Sequence, residues 1–392
     1  MDRIVAIRSW LDQHQPDLVE FLAGLVNQDS GTYDPAGVNR VGAMLAGAVS
    51  DLGFAVRRVP QTAYGDHLVA TRPCDGAAKR LLCLGHMDTV FPNGTAAERP
   101  FRVADGRATG PGVLDMKGGL TLLVFALRAL RATESPAWRG TSLTLLFNSD
   151  EEIGSPSSRP LFAEEAARHD AAIVLEPARP NGACVIGRKG VGHFRLETFG
   201  RPAHAGAQPE LGINAIWALA HKICALQALT DFKRGTTVNV GVIQGGERSN
   251  VVPDYAAADV DLRIVTVEEG ARAVQAFGEI AAFPHVPGAT AKLTGDITTP
   301  PWQTNDGTRR MLGHLEDAGK SIGLRVAGVT TGGGSDGSRV AGTIPTLDGL
   351  GPVGSNTHSP AEFVEVPSLT ERAALLALFL EKWYQHSGAS GC

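Results

Sequence analysis

Cysteine is scarce and unpaired in pattern: Cys74, Cys83, Cys184, Cys224 and Cys392 are odd in number, widely spaced and free of any CxxC. A disulfide framework is excluded on that ground, and the five read as reduced packing residues of a cytoplasmic chain. No run of about 18 apolar residues occurs, so nothing is expected to span a membrane. The first ten residues mix Asp2, Arg3 and Arg8 into a short apolar pattern and lack the continuous apolar core of a signal peptide. Basic clusters are missing too. Lys and Arg are scattered and the formal net charge is −5, which argues against nucleic acid or an anionic membrane as partner. There is no internal repeat and no low-complexity tract. The glycine-rich stretch 332–336, GGGSD, lacks the lysine of a phosphate loop, which argues against nucleotide binding. No G-x-S-x-G elbow surrounds a serine after a strand, which argues against a serine hydrolase.

What is present is an ordinary globular composition, 43% hydrophobic and 20% charged, over 392 residues. That length exceeds what one hydrophobic core usually serves, so two domains are expected. The first 60 residues read as helices, with apolar residues three and four apart in 17–28 and 38–52. Short apolar runs then appear at 80–84, 142–147 and 171–175, separated by helical stretches at 118–132 and 158–168. Short buried strands alternating with helices indicate a parallel sheet covered on both faces. Between about 187 and 298 the texture changes: 191–200 and 256–265 alternate polar and apolar residues, while 214–229 and 267–283 are helical. The order strand, helix, strand, strand, helix indicates a small α+β domain on one antiparallel sheet. The α/β texture resumes after Pro300, and the chain closes on a helix at 373–384, with Ser368 and Glu371 as a capping box. The expected fold is therefore α/β. A catalytic domain with a mostly parallel sheet flanked by helices is made from 1–186 and 299–392, and a ferredoxin-like α+β domain is inserted at 187–298.

The acidic and histidine residues fall where such a sheet exposes its strand ends. His86 and Asp88 follow the first apolar run, Asp150, Glu151 and Glu152 the second, and Glu176 the third. In an open parallel sheet, ligands bind beyond the carboxyl ends of the strands. Asp115 lies in a glycine-rich turn just before a helix, and His358 lies in another. Each piece alone has a plain structural reading: a His–Asp hydrogen bond, a solvated acidic loop, a tight turn, a surface histidine. Their joint occurrence at strand ends, in order, is what points to a site. So many converging carboxylates would repel and raise one another's pKa, a problem that bound cations remove. Mixed histidine and carboxylate ligands suit zinc, with cobalt or manganese acceptable at the same site. Four or five ligands with a carboxylate to spare indicate two metals about 3.5–4 Å apart.

Five stretches carry a resemblance: GHMDTV at 85–90, GPGVLDMKGG at 110–119, NSDEEIGS at 148–155, RPAHAG at 201–206 and NTHSPAE at 356–362. In this order they resemble the di-zinc amidohydrolases and metallopeptidases that include glutamate carboxypeptidase, aminoacylase, acetylornithine deacetylase and succinyl-diaminopimelate desuccinylase. The likeness runs from about residue 10 to about residue 385. It implies that His86 and Glu176 bind one zinc, that Glu152 and His358 bind the other, and that Asp115 bridges them. Asp88 is then the carboxylate that orients His86, and Glu151 the general base. Neighbours on an extended loop point opposite ways, so Glu152 is expected to ligate while Glu151 faces the water. Glu at position 176 resembles the carboxypeptidase and deacylase branch, whereas aminopeptidase-like relatives tend to carry Asp there. The inserted domain resembles a lid or dimerisation domain, implying a homodimer through 187–298. His204 would stabilise the oxyanion, Asn250 and Arg263 would hold the substrate carboxylate, and Gly334 would offer a backbone contact. His193 and His221 receive no role.

The resemblance is strongest to glutamate carboxypeptidases, yet the chain departs from them. Ala183 and Val185 stand where glutamate-specific relatives place Lys and Ser, and an Arg expected near Thr299 is missing. A pocket without those charges leaves an acidic side chain unpaired, which is costly. The expected reaction is hydrolysis of an N-acyl or peptidyl amino acid, with a neutral or apolar residue at least as acceptable as glutamate. An aminoacylase or deacylase is the alternative within the same chemistry. A non-catalytic relative is disfavoured because Glu151 and every expected ligand are present.

Overall fold

The computed structural model describes residues 3–74 and 79–385, so Met1, Asp2 and Cys392 lie outside the described residues. The chain divides into two compact units. One comprises Met1–Ile186, Thr304–Thr330 and Ser335–Cys392. The other comprises Gly187–Gln303 and Thr331–Gly334. Residues 299–303 and 331–334 thus group with the middle of the chain.

The first unit is built on a six-stranded sheet in the order Ala55–Val59, His67–Arg72, Ser142–Asn148, Arg80–His86, Ala171–Val174, Thr346–Leu347. The last four strands are mutually parallel, and the first two form an antiparallel hairpin on their edge. The apolar runs are continuous because both faces are covered. Leu81 and Cys83 join one core with Leu22, Leu122 and Leu376, whereas Leu82 and Leu84 face the other way onto Phe162 and Val340. The helix Lys117–Ala132 is buried along almost its whole length and packs against the closing helix Val366–Gln385.

Two local expectations are corrected. The first 60 residues are not all helical. After the helices Arg3–Gln13, Gln15–Val26 and Pro35–Ser50, the exposed strand Ala55–Val59 forms the sheet edge. With Arg57 and Arg58 in it, the segment carries no apolar run to mark it, as edge strands often do not. The capping box at Ser368 and Glu371 does not form either. The last helix already starts at Val366, with Pro367 in its first turn where a missing N–H costs nothing. The Ser368 hydroxyl instead donates to Glu365 O (2.7 Å) and accepts from Val353 N (3.0 Å).

A small antiparallel sheet, Gly354–Ser355, Phe363–Glu365, Arg107–Thr109, Arg102–Ala104, was not foreseen. Its pairing of Phe363 with Thr109 joins two segments some 250 residues apart in sequence.

The middle unit follows the ferredoxin-like order strand, helix, strand, strand, helix, strand. Its four antiparallel strands are arranged Thr237–Gly245, Tyr255–Ile264, Gly190–Phe199, Thr290–Thr299. The helices Ala215–Gln227 and Val267–Ala282 cover one face, where Leu196, Leu219, Leu262 and Phe277 form a separate core. No helix among the described residues is long and apolar enough to cross a membrane.

Candidate metal centre

Three parallel strands deliver their ends to one place. His86 is the last residue of its strand, Glu151 and Glu152 come three and four residues after Asn148, and Glu176 two after Val174. The small antiparallel sheet brings in the two glycine-rich turns that carry Asp115 and His358. Two groups result, His86–Asp115–Glu176 and Asp115–Glu152–His358, and within each the candidate ligand atoms lie within 4.8 Å of one another. His86 Nε2 is 3.2 Å from Asp115 Oδ1 and 3.7 Å from Glu176 Oε1. His358 Nε2 is 3.2 Å from Asp115 Oδ2 and 3.1 Å from Glu152 Oε2. Donor atoms about 2.0–2.2 Å from one tetrahedral zinc would stand about 3.3–3.6 Å apart, so each group has the spacing to hold one such cation. Both oxygens of Asp115 are used, one toward each histidine, as a bridging carboxylate requires.

The electrostatics point the same way. Burial raises the pKa of Glu151, and the neighbouring Glu176 carboxylate raises it further. Burial also raises Glu152, against the opposing pull of its contact with His358. Burial alone would push His86 down, but its contacts with Asp115 and Asp88 carry it well above its ordinary value. Contacts with Asp115 and Glu152 take His358 up to about 11. Five carboxylates (Asp88, Asp115, Glu151, Glu152, Glu176) thus gather round two imidazoles in a largely buried space, and divalent cations are the charge such a donor set accommodates.

The route by which Glu151 and Glu152 separate differs from the expected one. Residues Glu151–Ile153 form one turn of 3-10 helix, ended by Gly154 at φ +84°, rather than an extended loop. Successive residues then diverge by about 120°. Glu152 faces Asp115 and His358, while Glu151 faces Glu176 and His86. Asp88 also does more than orient the histidine. His86 Nδ1 lies 2.9 Å from Asp88 O and 3.5 Å from its carboxylate, which leaves Nε2 for a metal. The carboxylate itself accepts the backbone N–H of Glu151 and of Glu152, each at 3.2 Å, and the Thr32 hydroxyl at 2.7 Å. It therefore ties the strand end that bears His86 to the turn that bears both glutamates.

Further buried groups were missed by motif reading. Glu362, at the end of NTHSPAE, accepts the backbone N–H of Gly112 (3.2 Å), Leu114 (2.8 Å) and Asp115 (3.0 Å), and burial raises its pKa to about 7. It clamps the Asp115 turn to the His358 turn. Glu362→Ala would orphan three buried donors, and we expect a loss of roughly 3–5 kcal/mol of stability. Paired chemical-denaturation curves with equal metal supply would show it, and a change below about 1 kcal/mol would count against the clamp. Asp150 is not among the candidate ligands. Its carboxylate accepts from the hydroxyls of Ser157 (2.7 Å) and Ser158 (2.6 Å) behind the glutamate turn. Asn148 Nδ2 joins Asp336 at 2.8 Å in the same layer. His358 itself sits at φ +61° and Asn356 at φ +63°. Such left-handed backbone costs a non-glycine residue about 1–3 kcal/mol and persists only where the surroundings hold it.

The other expected residues belong to the middle unit. His204 Nδ1 accepts two backbone N–H groups, from Gly206 (3.1 Å) and Ala207 (3.0 Å), so a neutral ring carries its proton on Nε2 and offers it as a donor. Asn250 lies beside it, because Ala205 N donates to Asn250 O (3.0 Å) and Val252 N to Ala203 O (2.9 Å). Arg263 is clamped to Asp261 through Nε (2.8 Å) and Nη2 (2.9 Å), with Nη1 3.3 Å from Gly332 O. The Gly334 carbonyl accepts from the buried Arg188 (2.9 Å), a residue that motif reading also passed over. Ala183 and Val185 are buried in the first unit and bring no charge. His193 lies on the exposed sheet face, and His221 stacks on His285 with ring centroids 5.4 Å apart.

Fold, ligand geometry and motif order together define a class of protein. Residues 82–382 match the profile of peptidase family M20/M25/M40. The chain belongs to that family, and it is a hydrolase of the metallopeptidase and amidohydrolase kind, as the five motifs led us to expect. Carboxypeptidase G2 of Pseudomonas sp. (strain RS-16) is 31% identical over 372 residues, which cover 93% of this chain and 88% of that protein. A succinyl-diaminopimelate desuccinylase of Paracidovorax citrulli (strain AAC00-1) is 29% identical, over 93% of this chain and 97% of its own. Among solved structures, aminopeptidase PepT of Bacillus cereus ATCC 10987 superposes with a TM-score of 0.80 at 26% identity, covering 94% of this chain and 98% of that one.

Proposed function

We propose that this chain is a di-zinc hydrolase of carboxypeptidase type that cleaves the amide bond of an N-acyl or peptidyl amino acid next to its free carboxylate. The observation that carries this reading is Asp115, whose two oxygens serve two separate histidine–carboxylate groups. His86 and Glu176 would hold one cation, Glu152 and His358 the other, and cobalt or manganese would suit the same donors. When bound, the pair supplies Lewis acidity and lowers the pKa of water toward neutrality. Glu151, half-buried and beside Glu176, is suited to take a proton on its carboxylate and return it to the departing amine. His204 offers its Nε2–H to the oxygen on which negative charge develops. Asn250 and Arg263, with the Gly334 backbone, would hold the substrate's carboxylate, Arg263 being pre-oriented by Asp261.

The relatives named carboxypeptidase and desuccinylase share this chemistry and differ in the acyl side, so an aminoacylase or deacylase is the second reading. A homodimer through residues 187–298 is supported by the exposed Ile216 and Trp217 beside the edge strand Thr237–Gly245, which itself exposes Val242 and Ile243. A cytoplasmic location is proposed from the widely spaced, odd-numbered cysteines, which offer no disulfide framework. No nucleic-acid or membrane partner is proposed.

The reading is tested by metal analysis and turnover on one zinc-supplied preparation. Two equivalents per chain and chelator-sensitive hydrolysis of N-acyl amino acids are expected, with N-acyl-leucine at least as good as N-acyl-glutamate. Fewer than two equivalents would remove the basis of the proposal, and a large glutamate preference would remove its substrate side. His204→Ala is expected to lower kcat by about 10²–10³-fold, as loss of an oxyanion donor does, with unchanged zinc content. Zinc loss in parallel with activity would instead make His204 a structural residue.

A further inference from the structure

A cavity of about 500 Å³ opens beside the glutamate turn in the first unit. Its apolar wall is Tyr33, Val90, Phe91 and Ile153, and its polar contributors include Asp34 and Glu152. The size is that of a small-molecule subsite. It is continuous with the candidate metal centre at two points. Glu152 belongs to both, with Ile153 next to it in the same 3-10 turn. Thr32, which also lines the cavity, donates its hydroxyl to Asp88.

The wall is fixed by backbone pairing rather than by loose loops. Thr89 N donates to Ser30 O (2.8 Å), Thr32 N to Thr89 O (3.2 Å), and Gly31 approaches Phe91 so closely that a Cβ there would stand 2.5 Å from Phe91 O. Against this rigid frame Tyr33 is 77% exposed, with Tyr64 its ring neighbour at 6.1 Å. The chain has only four tyrosines, so an exposed one on this wall with a second as its ring neighbour stands out. An aromatic ring left in water beside an apolar cavity gains by covering a ligand. No lysine or arginine among the described residues lines the cavity: Arg40, 3.9 Å from Asp34, and Arg99, over the Phe91 ring, both lie outside the lining. An acyl group bearing its own carboxylate would therefore enter without a counter-charge, which is unfavourable.

We propose that this cavity is the subsite for the acyl side of the scissile bond, and that it takes an uncharged, apolar acyl group with room for an aromatic ring. The assignment rests on the hydrolase reading above. Ala183 and Val185, the positions read above as meeting the amino-acid side chain, do not line this cavity, which leaves it to the acyl side.

The test uses zinc-supplied protein and three substrates that differ only in the acyl group: N-acetyl-, N-benzoyl- and N-succinyl-leucine. For the unaltered chain, kcat/KM is expected to be about 10- to 100-fold higher for benzoyl than for acetyl, as burial of a ring predicts, and lowest for succinyl. Tyr33→Ala should reduce the benzoyl-to-acetyl ratio at least fivefold, and Tyr33→Phe, which keeps the ring, should restore it. A succinyl rate equal to the benzoyl rate, or a ratio untouched by Tyr33→Ala, would overturn the subsite. Calorimetric binding of N-benzoyl-leucine separates this from failure of the hydrolase reading. If no substrate is turned over, binding by the unaltered chain that Tyr33→Ala weakens at least fivefold still supports the cavity, and equal or absent binding overturns it.

Discussion

Glu151→Gln is expected to bind two equivalents of zinc and to lose at least about 10³-fold in kcat, within the range that a positioned general base contributes. The substitution is nearly isosteric, and the backbone contact that fixes the residue, Glu151 N to Asp88 Oδ1 at 3.2 Å, does not involve the altered group. None of the candidate ligand sets includes Glu151. What the amide cannot do is accept a proton. Steady-state turnover of an N-acyl amino acid, measured beside the metal content of the same sample, separates the two properties. Near-normal turnover would mean that the base is another group, and lost zinc would mean that Glu151 ligates.

Asp115→Ala is expected to reduce bound zinc below one equivalent and to abolish turnover, a fall of roughly four orders of magnitude or more, because both the Lewis acid and the activated water depend on the pair. Each group of three donors loses a member, and Asp115 is the only residue that belongs to both. The turn should survive, since the Asp115 backbone N–H is held by Glu362 rather than by its own side chain. A circular-dichroism melt would register an intact fold. By contrast, His358→Ala removes a donor from one group and should leave the His86 group with its three. Retention of two equivalents by Asp115→Ala would show that the carboxylate is no bridge.

The substrate side depends on different parts of the molecule. On the proposed reading, the lack of charge at Ala183 and Val185 would bear on the amino-acid side chain, and the cavity behind Tyr33 on the acyl group. Changing the leucine of the substrate and changing its acyl group therefore probe separate surfaces, and their effects are expected to be independent.

Much of the site was legible because its chemistry is local. His86, Glu152 and Glu176 stand one to five residues beyond the ends of apolar runs, and a run of that kind in a parallel sheet ends at the carboxyl edge. The run at 171–175 matched the strand Ala171–Val174 to one residue at one end, because both of its faces are buried and nothing but apolar residues is tolerated there. Ala55–Val59 was not legible, since an edge strand with Arg57 and Arg58 has no obligatory apolar face. The start of the last helix was misread because Ser368 has capping chemistry, but Phe363–Glu365 leads straight into Val366 and the serine is used against Val353 instead.

The sequence by itself determined the kind of chemistry: which residue types occur, in what order, and that their carboxylates need cations. Only the tertiary structure decided the pairing. That Asp115 faces two histidines follows from the register of Phe363 on Thr109, and that Glu362 clamps the turn follows from three backbone N–H groups far from it in the chain. The physical reason is range. Burial and periodicity act on neighbours along the chain, whereas a hydrogen bond between residues about 250 positions apart leaves no trace in the local pattern of either partner.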